Sequence, residues 1–225
     1  MLRRILAYFL LSAAAFGACH VTTPSGAGTN SGADYNNACA GFTGACSSAN
    51  LVRGDVYYVS KGTYSSAETP TASKANSGTS TITIKANTVA DHGQACSPSV
   101  AAGWVEATHV GQAVFSDQIS FTTDYWIIDG VYGTPFSKGS YGIKMNPPVT
   151  TDWIMKGAGG MGNSTIRYVE IAGNQNCSGH TWDVGIFPGQ TGGGGDNLVA
   201  EFNYIYQVGN HFKVNGSNNV IIQGS

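Results

Sequence analysis

Short apolar runs recur along the chain, and each is closed by Gly, Asn, Ser or Asp. The clearest occupy 55–59, 81–84, 125–128, 165–171, 198–202, 211–214 and 220–222. They are rich in β-branched and aromatic residues, and no long segment carries helical periodicity. The pattern therefore predicts short strands separated by turns. A sandwich or a barrel would supply similar pieces, so the spacing has to decide.

The spacing contains a weak repeat. Residues 163–171 can be laid over 197–205 and over 219–225, and more loosely over 125–131. The last period, Asn197 to Asn219, is 22 residues, and the one before it, Asn163 to Asn197, is 34. The longer one holds two loop inserts, 174–180 and the glycine run 192–195. A period near 22 residues with three short strands is the mark of a stacked β-coil. Within the last period the strands are expected at about 198–202, 204–207 and 211–214. This register puts Thr165, Val199 and Ile221 in one column and Ile166, Ala200 and Ile222 in the next. Alternation lets only one of the two point inward. With the first column inside, Asp129, Arg167, Glu201 and Gln223 lie beside it, and their mixed charges suit the solvent side.

Composition narrows the class further. Charged residues are 11% of the 225, against about 25% for an average soluble domain. Glycine, at 31 residues, is about twice its usual share of ~7%. Helix-favouring Glu, Lys and Arg are scarce, which excludes a helical bundle and a coiled coil. At 42% hydrophobic and 11% aromatic, the chain is not a disordered tail. The formal charge is −2 and no basic cluster is interleaved with aromatics, so nucleic acid is not an expected partner.

The first eighteen residues stand apart. Arg3 and Arg4 precede an uncharged apolar run from Ile5 to Ala18, the pattern of a secretory leader. That run is too short for a comfortable membrane span of ~20 residues. Cleavage is expected after Ala15 or Gly17, giving a secreted, periplasmic or cell-surface protein without a membrane span. The stretch from Phe16 to Cys19 also has the form of a lipobox, which makes lipidation of Cys19 the alternative. Five cysteines are present. With Cys19 removed or lipidated, Cys39, Cys46, Cys96 and Cys177 remain, an even number that suits disulfides in an exported chain. Cys39 and Cys46 flank a small loop, and Cys96 with Cys177 would be the long-range bond, although four cysteines allow three connectivities. No C-x-x-C is present, which argues against zinc.

These features resemble the right-handed parallel β-helix proteins of the pectate-lyase-like superfamily. The residues carrying the resemblance are 21–32, 53–64, 82–86 and 125–130, followed by the coils that begin at Asn163, Asn197 and Asn219. The resemblance implies an all-β solenoid with a cap and first strands over 19–79 and coils over 80–225. The last repeat stops in mid-coil, so a fragment of a longer protein is expected. It also implies an extracellular polysaccharide as partner, with a lyase as the preferred activity. A non-catalytic surface or adhesion module, or an inactive fragment, is the alternative.

Cleavage of an acidic polysaccharide by β-elimination needs a base for the C5 proton and a cation to neutralise the uronate carboxylate. In lyases of this kind the base is often Lys or Arg, with Ca2+ held by Asp and Glu. The candidates here are Lys213, Arg167, His180, Asp183 and Glu201, with Trp182 and His211 as substrate-binding residues. Each has a structural counterpart: Lys213 as a solvent-facing strand residue, His180 and Asp183 as loop residues, Asp129 as turn chemistry. Arg167 with Glu201 would be a surface ion pair worth under ~1 kcal/mol. No carboxylate pair has hydrolase spacing, and no dense Asp cluster marks a metal site, so Ca2+ enters only as an ion bridged by substrate.

Overall fold

The computed structural model describes residues 17–132, 140–147, 153–173, 184–189, 195–214 and 219–224. The leader expected over 1–18 falls almost wholly outside them, and so do Cys177, His180, Trp182 and Asp183.

The chain enters through β1 (Cys19–Thr23) and β2 (Cys39–Ala40) and then winds in passes. The first pass holds β3 (Val56–Val59) and β4 (Gly62–Tyr64). The second holds β5 (Ile82–Ala86), the short α1 (Glu106–His109), β6 (Ala113–Phe115) and β7 (Ile119–Phe121). The third is β8 (Trp126–Asp129), β9 (Ile143–Met145) and β10 (Trp153–Gly157). The fourth is β11 (Thr165–Arg167), β12 (Val169–Ala172) and β13 (Val184–Phe187). The fifth is β14 (Val199–Glu201), β15 (Tyr204–Tyr206) and β16 (Asn210–Phe212), after which β17 (Ile221–Gln223) opens another.

Each pass feeds three sheets in turn. The first sheet runs β17-β14-β11-β8-β5-β3-β1-β2, the second β15-β12-β9-β6-β4 and the third β16-β13-β10-β7. All pairings between these strands are parallel. In the first pass Ala72 makes a single parallel bridge to Phe121 and takes the place of a third-sheet strand. The result is a parallel β-helix, closed by sequence-distant neighbours rather than by hairpins.

The expected register is the observed one. Thr165 pairs with Val199 and Val199 with Ile221, while Arg167 pairs with Asp129 on one side and Glu201 on the other. The inward column is the second of the two candidates. Ile128, Ile166 and Ala200 are at most 1% exposed, whereas Thr165 and Val199 are only half-buried. The premise that Thr165, Val199 and Ile221 face inside is thus corrected. The charged column shares the outer face with them, two residues on. Apolar side chains at both positions hid this parity from the sequence. The core column continues through Ile84 to Tyr57.

The corners explain why the repeat begins on asparagine. Asn163, Asn197 and Asn219 have φ of 51°, 58° and 54°, the left-handed region that Asn enters more readily than most residues. Their side chains stack into a ladder, Asn197 donating to Asn163 and Asn219 to Asn197, each at 3.1 Å. Tyr168 and Phe202 turn the next corner, also at positive φ, and their rings stack at 5.1 Å. The buried Asn203 secures that corner: its Oδ1 accepts from the Val169 amide and its Nδ2 donates to the Ile166 carbonyl, both at 3.0 Å.

The N-terminal segment folds over the outer face of the first sheet. Val21, Tyr35, Ala38 and Val100 make a small second core there. Two disulfides pin it, Cys39–Cys46 and Cys19–Cys96, with Cα separations of 6.0 and 6.1 Å. The expected partner of Cys96 was Cys177, and the pairing with Cys19 corrects it. The loop bearing Cys96 lies across β1, whose first residue is Cys19. The same bond occupies the sulfur that a lipid thioether at Cys19 would require.

Candidate functional site: lysines and aromatic rings on the outer faces

In a coil this short in cross-section, inward positions are filled by apolar side chains, so chemistry has to sit on the outer columns. Each sheet carries a different one.

On the first sheet the outer column runs Tyr58, Lys85, Asp129, Arg167, Glu201, Gln223. Arg167 donates to the buried Asp129 at 2.9 Å and lies 3.9 Å from Glu201. Gln223 donates to Glu201 at 2.8 Å. The hydrogen bond to Asp129, opposed in part by burial, holds the Arg167 guanidinium above its usual range. Arg167 and Glu201 are therefore brought together, with Asp129 as the stronger partner. The arrangement is an ion-pair ladder along the coil axis.

On the second sheet, Lys144 of β9 pairs in register with Glu170 of β12. The Glu170 side chain is 1% exposed and sits 3.0 Å from the Lys144 ammonium. Lys144 also donates to the Tyr206 hydroxyl at 3.1 Å, and that hydroxyl donates to Glu170 at 2.7 Å. Gln112 completes the network with a 2.8 Å bond to the other carboxylate oxygen. Burial by itself would raise the Glu170 carboxyl. Hydrogen bonds from Tyr206, Gln112 and Lys144 outweigh it and hold the group below its ordinary range. Burial likewise pulls the Lys144 ammonium down, and its bonds to Tyr206 and Glu170 reverse the sign and raise it. Lys144 is thus a fixed cation, unsuited to accept a proton.

The third sheet is different. Ser120, Lys156 and Phe187 share a column. The Lys213 amide donates to the Ile186 carbonyl at 3.1 Å, which extends the ladder past β16 and sets Lys213 beside Phe187. Two lysines therefore flank one ring, their backbones two strand spacings, about 10 Å, apart. The Lys156 ammonium lies 4.1 Å from the Trp153 ring centre, and the Lys213 ammonium 5.8 Å from that of Phe187. Trp153 and Phe187 stack at 5.7 Å with a 16° interplanar angle. His211, exposed on β16, shares this outer parity with Lys213 because Phe212 between them pairs with the core residue Ile186.

Of the residues picked from the sequence, Lys213 and His211 come together on the third sheet, and Arg167 and Glu201 on the first. Lys144, Glu170, Tyr206 and Lys156 were missed. A signal existed: Ile143-Lys144-Met145 and Val169-Glu170-Ile171 each place one charge between two apolar residues. Aligning those two triplets one pass apart gives the ion pair. Among the described residues no group of three or more His, Cys, Asp or Glu could hold a metal ion, and no helix is long and apolar enough to cross a membrane.

No family model matches the sequence, and neither does any curated protein. The fold does match a solved structure, the crystal structure of pectate lyase Pel9A, with a TM-score of 0.55 at 16% identity. The match covers 92% of this chain and 55% of that one, so the chain spans about half the length of the protein it resembles. The likeness establishes the architecture as a right-handed parallel β-helix.

Proposed function

We propose that this is an exported β-helix protein that binds an anionic extracellular polysaccharide on its third sheet and cleaves it by β-elimination. The observation that carries the reading is the pair of lysines, Lys156 and Lys213, in register on either side of Phe187 and beside Trp153. Phe187 itself is fully buried, so the half-exposed Trp153 is the ring on which a sugar face would stack, and carboxylates on alternate units of an extended chain call for cations repeated along one axis. In this reading Lys156 neutralises a uronate carboxylate and acidifies the C5 hydrogen. Lys213, in its neutral form, takes that proton. The C4–O bond breaks, a C4=C5 double bond forms and the leaving oxygen is protonated. Ca2+ bridged by the substrate would add to the neutralisation. The two disulfides and the leader pattern of residues 1–18 support export, since such bonds persist in oxidising compartments.

The test is incubation with pectin, alginate, chondroitin and neutral glycans, with and without Ca2+. Ultraviolet absorbance of unsaturated uronate is followed beside reducing ends. A rise in both is expected for an acidic glycan, with a loss of about 100-fold or more in Lys213→Ala. Reducing ends without absorbance would replace elimination with hydrolysis. Binding without either product would favour the non-catalytic surface module. One observation already leans that way: Arg167 and Lys144 are committed to carboxylates of the protein itself.

A further inference from the structure

At the opposite end of the stack from Lys213, the segment after β1, the turn before β4 and helix α1 line a half-open pocket of about 400 Å3. That is within the ~300–1,000 Å3 range of small-molecule sites. Thr23, Ser25, Tyr35, Lys61, Thr108 and His109 are among its lining residues. Its chemistry is a mixture of one cation, one imidazole, several hydroxyls and one ring.

Lys61, His109 and Tyr35 are held in place. The Lys61 ammonium donates to the Ala107 carbonyl in α1. Nδ1 of His109 lies 3.0 Å from the Val105 amide nitrogen and 2.9 Å from the Val105 carbonyl oxygen, which leaves Nε2 as the ring nitrogen for a ligand. The Tyr35 hydroxyl is turned away, donating to Asn87 at 2.7 Å and lying 3.1 Å from the His92 carbonyl. Its ring packs 4.6 Å from that of His109.

The geometry points to this pocket as a binding site for a single carboxylated sugar unit. Lys61 faces the carboxylate, His109 bonds a sugar hydroxyl, and the edge of the largely buried Tyr35 ring forms part of the floor. The site is separate from the third-sheet lysines and does not depend on their acting. The His109 imidazole is held below its ordinary range, by burial first and by the Lys61 charge, against the bond to Val105. The other titratable groups around it are Tyr35, Glu106 on its own helix and, across the Trp104 ring, His92. A carboxylate beside Lys61 would cancel part of the repulsion and raise the titration midpoint of His109.

The experiment is a titration of the full chain with methyl galacturonoside, methyl galactoside and acetate, read on the His109 imidazole resonances. A saturable shift and a raised midpoint are expected with the uronoside, at least tenfold tighter than with either control. Lys61→Met should weaken binding at least tenfold, and Lys61→Arg about threefold or less. A Lys156→Ala/Lys213→Ala double variant should bind the uronoside as the parent does, even where it has lost the polymer. No saturation, equal binding of acetate, or Lys61→Met binding like the parent would overturn the proposal. So would loss of the uronoside in the double variant.

Discussion

Lys144 on the second sheet and Lys156 on the third occupy the same kind of position, an outward residue in the middle of a short strand. One register step decides their fates. Lys144 faces Glu170, which is 1% exposed, across the ladder, and Lys156 faces Phe187. The first lysine is neutralised by a buried carboxylate and becomes part of the framework. The second lies against the half-exposed Trp153 and beside the buried Phe187, and in the proposed reading that surface takes an anionic sugar chain. Identical residues on one scaffold thus acquire different surroundings, and in the proposed reading different roles, by what the neighbouring pass presents.

Removing the ammonium from the second sheet is the hardest test of that contrast. Lys144→Met leaves the Glu170 carboxylate buried without this cation, and breaking such a pair costs about 3 kcal/mol. Urea unfolding should report that loss, and a Lys144→Met/Glu170→Leu double variant should recover most of it. If Lys144→Met is neutral, the pair is not structural and the division fails.

The same pair sets a pH window. Glu170 is held below its ordinary value of 4.5, so its contribution is present above that value and is lost as the pH falls through the lower folded-state value. Lys144 is held above its ordinary 10.5, so its contribution is present below that value and is lost as the pH rises through the higher folded-state value. The stability gap between the parent and Lys144→Met should therefore be widest between about pH 5 and 10. It should narrow towards both extremes. A gap that is flat in pH would point to packing rather than charge.

The first sheet is intermediate. Arg167→Met strands the buried Asp129, 4% exposed at its side chain, and should cost about 2 kcal/mol, in the range of hydrogen bonds to charged groups. Glu201→Gln should cost less than ~1 kcal/mol. Chemical denaturation of the two variants side by side separates the Asp129 contact from the Glu201 contact. Equal losses would mean that the ladder acts as one unit.

The smallest effects belong to the third sheet. Lys156→Met should change stability by about 0.5–1 kcal/mol or less, the scale of a partly exposed cation–π contact. A loss of about 3 kcal/mol, seen as a shifted denaturation midpoint, would place Lys156 with Lys144 as framework.

How much of this was legible beforehand depends on the range of the interaction. The Asn163, Asn197 and Asn219 repeat determined the coil register, because each asparagine marks a left-handed corner that few other residues adopt cheaply. From that register the Asp129–Arg167–Glu201–Gln223 column followed residue by residue. The choice between the Ile166 and Thr165 columns did not follow, since both are apolar enough to be buried. The partner of Cys96 did not follow either. A disulfide depends on which loop crosses which strand, and nothing near Cys96 in the chain announces Cys19. The Lys144–Glu170 pair lay between, readable only once two strands 26 residues apart were set in register.

By itself the sequence determined the class of structure, its period and the stacking of like on like, because turn chemistry and strand pattern are local and repeat along the chain. Only the tertiary structure decided which face is core, which cysteines join and which lysines are neutralised. Those outcomes depend on the distance between residues from different passes, and the loops that set it vary in length from one pass to the next.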